Sequence, residues 1–188
     1  MQQIYLDNAA TTPVRPEVEE VMQPYFCEKY GNPSGIYKMA SECRQALETV
    51  RKQIGKTLKV SAEEIYFTSG GTESDNWAIK STAQRLKEKG KHIITSKIEH
   101  HAVLNSCAYL ETQGFEVTYL DVDEWGCVRF DALQRAIRKD TILISIMYAN
   151  NEVGTIQPIG QIGKIAKEND IFFHTDAVQA YGQIPIDV

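Results

Sequence analysis

The run Thr141–Met147, TILISIM, is apolar on both faces of a strand, as is typical of strands covered by helices on both sides. From residue 64 onward, similar short runs alternate with segments of helical periodicity. This alternation predicts an α/β fold: a mainly parallel sheet flanked by helices on both faces, in three α/β/α layers. Strands are predicted over 64–68, 92–95, 115–120, 141–147 and 170–175, and helices over 73–89, 101–113, 130–138 and 158–168.

The chain before residue 64 is predicted to be helical after an irregular beginning. Residues 7–13, DNAATTP, are small, polar and turn-forming, which suits either a loop entering a binding cleft or an irregular N-terminal arm. Pro16 favours a helix start. Apolar residues three or four apart over 36–58 then predict a longer helix.

Charge and hydropathy narrow the classes of partner. The formal net charge is -5 at pH 7, which argues against a surface for nucleic acid or for an anionic membrane. No stretch approaches the roughly 20 apolar residues of a membrane span, and residues 1–12 lack a signal-peptide pattern. A cytoplasmic location is therefore expected.

The cysteines do not indicate a metal centre. All four are widely spaced and none forms a CxxC pair, so no metal site is predicted. Cys43 and Cys107 lie on helical patterns and are expected to be small core or boundary residues. The other two are Cys27 and Cys127.

Phe67–Ser74, FTSGGTES, predicts an anion site. Its apolar beginning is typical of a strand end, its small residues form a turn, and Thr72 is a good N-cap for the helix that follows. A helix start presents free N–H groups and a partial positive charge, for which phosphate is a natural ligand. A plain strand-to-helix turn has the same pattern, and neither Gly-Lys-Ser/Thr nor GxGxxG is present.

Polar residues follow the other predicted strands, and ligands of parallel α/β sheets bind beyond the carboxyl ends of the strands. The Asp176 carboxylate either pairs with a protonated ring nitrogen of a ligand or caps a following helix. Gln179 points to the same ligand or to solvent. His100 suits stacking on a flat ligand and proton transfer, or a structural role. Asn150 and Asn151 form a turn, or bind a substrate carboxylate or a phenolic oxygen.

A phosphate site, an acid for a pyridinium, a histidine for a ring face and amides for an oxygen together match pyridoxal 5′-phosphate. The chain also resembles the N-terminal half of the cysteine desulfurases, which are fold-type I enzymes that use this cofactor. The resemblance runs almost end to end, in six segments with the family's order and spacing. These are YLDNAATTP at 5–13, YGNPS at 30–34, FTSGGTESDN at 67–76, KHIITSKIEHHAVL at 91–104, SIMYANNEVGTIQPI at 145–159 and HTDAVQAYGQIPID at 174–187.

The resemblance implies a role for each residue around the cofactor. Gly71 and Thr72 would hold the phosphate. His100 would stack on the pyridine ring and relay protons, which makes it the candidate catalytic residue. Asp176 would pair with the ring nitrogen, and Gln179 with the phenolic oxygen.

It also implies a substrate, partners and a domain division. Asn151 would lie near the phenolic oxygen and the carboxylate of the substrate, L-cysteine. The sulfur would pass to an acceptor or scaffold protein in iron–sulfur cluster or thiocofactor assembly, and full-length members are homodimers. The implied division is an N-terminal arm over 1–14 and a large domain over 15–188, without its C-terminal side and without the small C-terminal domain.

Two reactive residues of the family have no counterpart in this sequence. The lysine that forms the Schiff base follows the region matching Pro185–Asp187, and the cysteine that takes up sulfur lies further on. We therefore expect the 188 residues to be inactive alone. The alternatives are a selenocysteine lyase or small-substrate aminotransferase of the same fold, a non-catalytic remnant or binding module and, more distantly, a nucleotide-binding Rossmann protein.

Overall fold

The computed structural model describes residues 4–188. Contacts divide the chain into two compact units, one of residues up to Phe67 together with Ile186–Val188, and the other of Thr68–Pro185. The division into an arm over 1–14 and a domain from residue 15 stays a prediction, and residues 1–3 of that arm lie outside the described residues.

The first unit contains the two helices expected from the sequence. Helix α1 spans Pro16–Cys27 and α2 spans Lys38–Leu58. Pro16 occupies the first turn of α1, where its missing N–H costs no hydrogen bond. No residue of α1 is buried, whereas α2 buries Ala40 and Cys43. The expectation that Cys43 is a small core residue is confirmed.

The predicted strand over 64–68 is wrong. Ala62–Glu64 form a short 3₁₀ helix, and the residues that follow pair with no strand among those described. The cause is a capping box, in which Glu64 Oε2 accepts hydrogen bonds from the backbone N–H and the hydroxyl of Ser61, at 2.8 and 2.9 Å. The apolar content of this segment is not buried, because Tyr66 and Phe67 are exposed.

The second unit contains a four-stranded sheet in the order β2-β1-β3-β4, with every neighbouring pair parallel. The predicted parallel α/β class is confirmed. The interior strands β1 and β3 are buried along their whole length, as their apolar runs predict, while β2 and β4 lie at the edges. The strands are β1 His92–Ser96, β2 Glu116–Leu120, β3 Thr141–Ser145 and β4 Phe172–His174, and the helices are α3 Gly71–Leu86, α4 His101–Thr112, α5 Phe130–Ala136 and α6 Ile159–Glu168.

Hydrophobic clusters cover both faces of this sheet. On one face Ile93 packs with residues of α3 and α4, including the predicted core residue Cys107. On the other, Ile94 packs with residues of α5 and α6. Successive residues of a strand point to opposite faces, so the neighbours Ile93 and Ile94 serve the two layers of helices. The three-layer prediction is confirmed.

None of the described helices is both long and apolar enough to cross a membrane.

Candidate functional site

The start of α3 is the candidate anion site. The helix begins at Gly71, and Gly70 at its N-cap position supplies no side-chain cap. The prediction that Thr72 is the N-cap is therefore wrong, since Thr72 lies inside the first turn. Glu73 explains the earlier start, because its Oε2 accepts a hydrogen bond from Ser69 N at 2.6 Å and closes the turn before the helix. The first-turn N–H groups remain directed out of the helix end.

This helix start packs against the loop that follows β4. A Cβ atom built on Gly71 would lie 2.7 Å from Cγ2 of Val178, so only glycine fits without displacing that side chain. Val178 in turn donates its backbone N–H to Asp176 Oδ1 at 2.9 Å. One valine therefore links the candidate phosphate residue Gly71 to the candidate ring-nitrogen residue Asp176.

Asp176 lies at the carboxyl edge of the sheet, immediately beyond β4. It is 8% exposed, and its backbone carbonyl accepts a hydrogen bond from Tyr148 N at 2.8 Å. No helix follows it in the described chain up to Val188, so the alternative of a helix cap is wrong. Gln179 lies half-buried in the turn after Asp176 and has an interaction within the molecule.

His100 caps α4, which is the structural role that the sequence left open. Its Nδ1 accepts a hydrogen bond from Ala102 N at 3.1 Å, which fixes the ring and leaves Nε2 to carry the proton of the neutral imidazole. The ring lies on the surface beyond the end of β1. An exposed imidazole held in one orientation at this edge is suited to stacking on a flat ligand.

Asn150 organises the loop beyond β3. Its Nδ2 donates to Ile98 O at 2.8 Å, and its Oδ1 accepts from the backbone N–H groups of Glu152 and Val153. Asn150 is therefore a structural residue that ties the loop beyond β3 to the loop carrying His100. The half-buried Asn151 donates through Nδ2 to its neighbour, at 3.2 Å from Glu152 Oε1, with no other side-chain partner in the described part of the chain, and is the amide better placed to bind a ligand.

The structure adds three titratable residues that the sequence did not single out. Glu99 is 5% exposed, and its carboxylate accepts from Met147 N at 3.1 and 2.9 Å and from the Ser96 hydroxyl. Asp75 on α3 is 4% exposed, and its Oδ1 lies 3.6 Å from His174 Nε2 on β4. A period of two along β4 puts His174 and Asp176 on one face, which was the available indication.

These acids are buried together without a cation. Burial raises the pKa of Asp75 to about 7, with a further contribution from the charge of Asp176. Burial also raises the pKa of Glu99 to about 8, against its hydrogen bonds from Ser96 and Met147. Among residues 4–188, no lysine or arginine forms an ion pair with Asp75, Glu99 or Asp176. The same residues contain no group of three or more side chains placed to hold a metal ion.

The edge therefore presents a helix start without a side-chain cap, the candidate anion site, next to a buried acid that has no cation beside it among the described residues. A ligand with a phosphate at one end and a protonated ring nitrogen at the other satisfies both demands. This combination on a parallel α/β sheet is typical of enzymes that bind phosphorylated pyridine cofactors.

Comparison with known proteins identifies the family. The model of the aminotransferase class-V family matches residues 4–188, and the chain belongs to this family. Its members depend on pyridoxal phosphate.

The chain is also similar to proteins named as cysteine desulfurases. It is 64% identical to the cysteine desulfurase IscS of Methanosarcina thermophila over 98% of its own length and 46% of that protein. It is 60% identical to IscS of Dictyoglomus turgidum, over 100% of this chain and 48% of that one. The chain spans about half the length of the curated relatives it matches.

Solved structures of related proteins superpose closely on this chain. A NifS-like protein superposes with a TM-score of 0.96 at 43% identity, over 100% of this chain and 52% of that one. The structure described as SspA in complex with cysteine gives 0.94 at 45% identity, over 98% and 53%.

Proposed function

We propose that this chain forms the cofactor-binding part of a cysteine desulfurase, which converts L-cysteine to L-alanine and hands the sulfur on as a persulfide. The observation that carries the proposal is Asp176, a carboxylate that is buried at the sheet edge without a cation partner. Similarity to proteins named as cysteine desulfurases, at 64% and 60% identity, supports the choice of reaction.

The residues present fit pyridoxal 5′-phosphate at both ends of the molecule. Gly71 and Thr72 bind the phosphate through the first turn of α3, which has no side-chain cap of its own. The Asp176 carboxylate keeps a proton on the ring nitrogen, because the pair replaces a buried, uncompensated charge. When bound, the cofactor supplies an electron sink for bond cleavage in the amino-acid substrate.

The remaining side chains orient the ring and the substrate. His100 stacks on one ring face, and its proton on Nε2 is available for transfer. Gln179 and Asn151 bind the phenolic oxygen, and Asn151 also lies near the substrate carboxylate. These positions restrict the ring to one orientation, which is the contribution of the protein to such chemistry.

Substrate, partners and location follow from the same proposal. L-cysteine is the substrate, in keeping with the relative described in complex with cysteine. The sulfur passes to an acceptor or scaffold protein for iron–sulfur cluster or thiocofactor assembly, and the complete enzyme is a cytoplasmic homodimer. The 188 residues by themselves bind the cofactor without releasing sulfur, since Lys164 and Lys167 lie on α6 and no cysteine matches the family's nucleophile.

The test is calorimetric titration of the 188-residue chain with pyridoxamine 5′-phosphate. This compound has the phosphate, ring nitrogen and phenolic oxygen of the cofactor but no aldehyde, so surface lysines cannot react with it. We expect saturable binding with one site per chain. Asp176→Ala should weaken it by about 30-fold or more, the usual cost of removing one partner of a buried charge pair.

Asp131→Ala is the matched control, because this acid is exposed in the first turn of α5. It should leave the affinity unchanged. Absence of saturable binding, or equal affinity in the wild type and Asp176→Ala, would contradict the proposal and favour a non-catalytic binding module.

A further inference from the structure

Asp75 is a buried acid whose contacts are incomplete. It lies on α3, the helix whose start forms the candidate phosphate site, and it is 4% exposed. Its Oδ2 is buried and has no hydrogen-bond partner among the residues that the structure describes. Its Oδ1 faces His174 Nε2 at 3.6 Å, longer than a hydrogen bond but within ion-pair distance. A carboxylate left in this state is costly unless it carries a proton or a nearby group changes its charge.

His174 connects Asp75 to the interior of the sheet. Its Nδ1 lies 2.8 Å from the Ser145 hydroxyl at the end of β3, and its side chain is 17% exposed. His174 and Asp176 are two residues apart, and their carbonyls accept hydrogen bonds from Ile146 N and Tyr148 N, so the extended backbone puts both side chains on the same side. The contacts thus run from α3 through β4 to β3, close to Asp176, whose charge acts on both Asp75 and His174.

The charges around this chain of contacts are all acidic. Burial and the charge of Asp176 raise the pKa of Asp75 to about 7, and the charges of Asp176 and Asp75 both help to raise the pKa of Glu99. Burial lowers the pKa of His174 to about 4, although the charge of Asp176 opposes the shift, so the imidazole is neutral near pH 7. Cys107 on α4 stays protonated, since burial raises the pKa of its thiol to about 12.

We propose that Asp75 and His174 are positioning residues, which with Ser145 hold a proton behind Asp176 and leave Asp176 as the ionised carboxylate that faces the cofactor ring nitrogen. The inference rests on the proposed function. It gives roles to two residues that the resemblance does not assign to the cofactor.

The proton balance allows two arrangements. In the first, Asp75 carries a proton towards His174 Nε2, and Nδ1–H donates to the Ser145 hydroxyl. In the second, Asp75 has released its proton to solvent, Nε2–H faces the carboxylate, and the Ser145 hydroxyl donates to Nδ1. The imidazole is neutral in both. A cation bound at Asp176 offsets the repulsion on Asp75 and therefore favours the second arrangement, with release of a proton.

Calorimetric titration with pyridoxamine 5′-phosphate, in buffers with different heats of ionisation, measures this release. Near pH 7 we expect the wild type to release about half a proton more than Asp75→Asn, because Asp75 is then about half protonated. Asp75→Asn should also weaken binding about three- to tenfold near pH 8 and leave it unchanged near pH 6. Subtracting the same titration with benzyl phosphate, which lacks a ring nitrogen, removes protons released by the phosphate.

His174→Leu tests the same chain of contacts with Asp75 in place. It removes the N–H that favours the ionised carboxylate, so proton release should move to higher pH. His92→Leu is the matched control, since His92 is a second buried histidine, on β1 at the opposite end of the sheet. Glu99→Gln keeps Asp75. It should therefore still release the protons that Asp75→Asn no longer releases when pyridoxamine 5′-phosphate binds.

The outcomes separate this inference from the proposed function. If Asp176→Ala leaves the affinity unchanged, the proposed function fails. If Asp176→Ala weakens binding but Asp75→Asn and His174→Leu release protons as the wild type does, the inference alone is overturned. An equal change in His92→Leu also overturns it, because the effect would not be specific to the chain of contacts. Should Asp75→Asn fail to fold by circular dichroism, His174→Leu decides.

Discussion

At the amino end of the sheet, His92 is fully buried and both of its ring nitrogens have partners. Nδ1 lies 2.7 Å from the Thr141 hydroxyl and Nε2 lies 2.8 Å from that of Thr118. Arg138, close by, forms ion pairs with Asp140 and Glu116. Every charge named here has an opposite charge or a hydrogen bond beside it.

At the carboxyl end of the same strands the acids have no cation beside them. Asp75, Glu99 and Asp176 are all less than 9% exposed, and the described chain brings no lysine or arginine to any of them. Glu99 and Asp176 accept hydrogen bonds, but Oδ2 of Asp75 has no hydrogen-bond partner within residues 4–188. The same strands thus end in a paired polar network on one side and in acids without cations on the other.

The difference separates what stabilises the fold from what prepares it for a ligand. Paired polar groups at the amino end satisfy the backbone and side chains without outside help. Acids kept apart from cations destabilise the free protein, and such groups with shifted pKa values cluster at functional sites. We infer that changes at the amino end should alter stability and leave binding intact, whereas changes at the carboxyl end should alter binding and its pH dependence.

The largest effect on stability is expected for His92→Leu. This change leaves the hydroxyls of Thr118 and Thr141 without their ring partners inside the protein. We expect the free energy of unfolding in urea to fall by about 2–3 kcal/mol. The affinity for pyridoxamine 5′-phosphate, measured below the unfolding transition, should not change. A large loss of affinity with little loss of stability would break the comparison.

A smaller effect, visible only through pH, is expected for Glu99→Gln. The pKa of Glu99 is about 8 in the folded protein, above its ordinary value of 4.5, so the folded state holds a proton that the unfolded state has lost. Stability therefore falls as the pH rises through this range. Between pH 7 and 8 the wild type should lose about 1 kcal/mol through Glu99, besides a smaller loss through Asp75, which is about half titrated at pH 7.

Glu99→Gln should remove the part of this pH dependence of stability that Glu99 contributes. The amide does not titrate, and it still accepts a hydrogen bond from Met147 N. Urea unfolding at both pH values measures the slope. An unchanged slope would mean that Glu99 is not the group responsible.

The smallest effect is expected for Arg138→Gln at the amino end. Arg138 forms ion pairs with Asp140 and Glu116, but its side chain is 40% exposed, and exposed pairs contribute little. Thermal unfolding should show a slight loss of stability that disappears at high ionic strength. A loss larger than that of His92→Leu would show that exposed charges, and not buried partners, hold this end together.

Much of the sheet could be predicted from the sequence because strands that are buried on both faces consist largely of apolar residues. The run from Thr141 is apolar on both faces, and it forms the interior strand β3, which is two residues shorter than predicted. Residues 64–68 have similar composition but form no strand. Local hydrogen bonds between Ser61 and Glu64 competed with strand formation in this segment. The composition of the segment alone does not reveal them.

The site was predictable where position along the chain implies position in space. Asp176 and His100 were expected beyond strand ends, and the structure has them there. Asp75 was not singled out, because helical periodicity does not show which polar residue faces a strand from another part of the chain. The links Asp75–His174 and Glu99–Met147 join segments far apart in sequence and became visible only with the fold.

The strand order has a consequence for how the protein is made. β1 lies between β2 and β3, yet it is synthesised before both. A nascent chain can pair β1 with β2, but the other side of β1 stays open until α5 and β3 have left the ribosome. For that interval a strand that is wholly buried in the folded protein displays an unpaired edge, the surface that invites association with other chains and that chaperones shield.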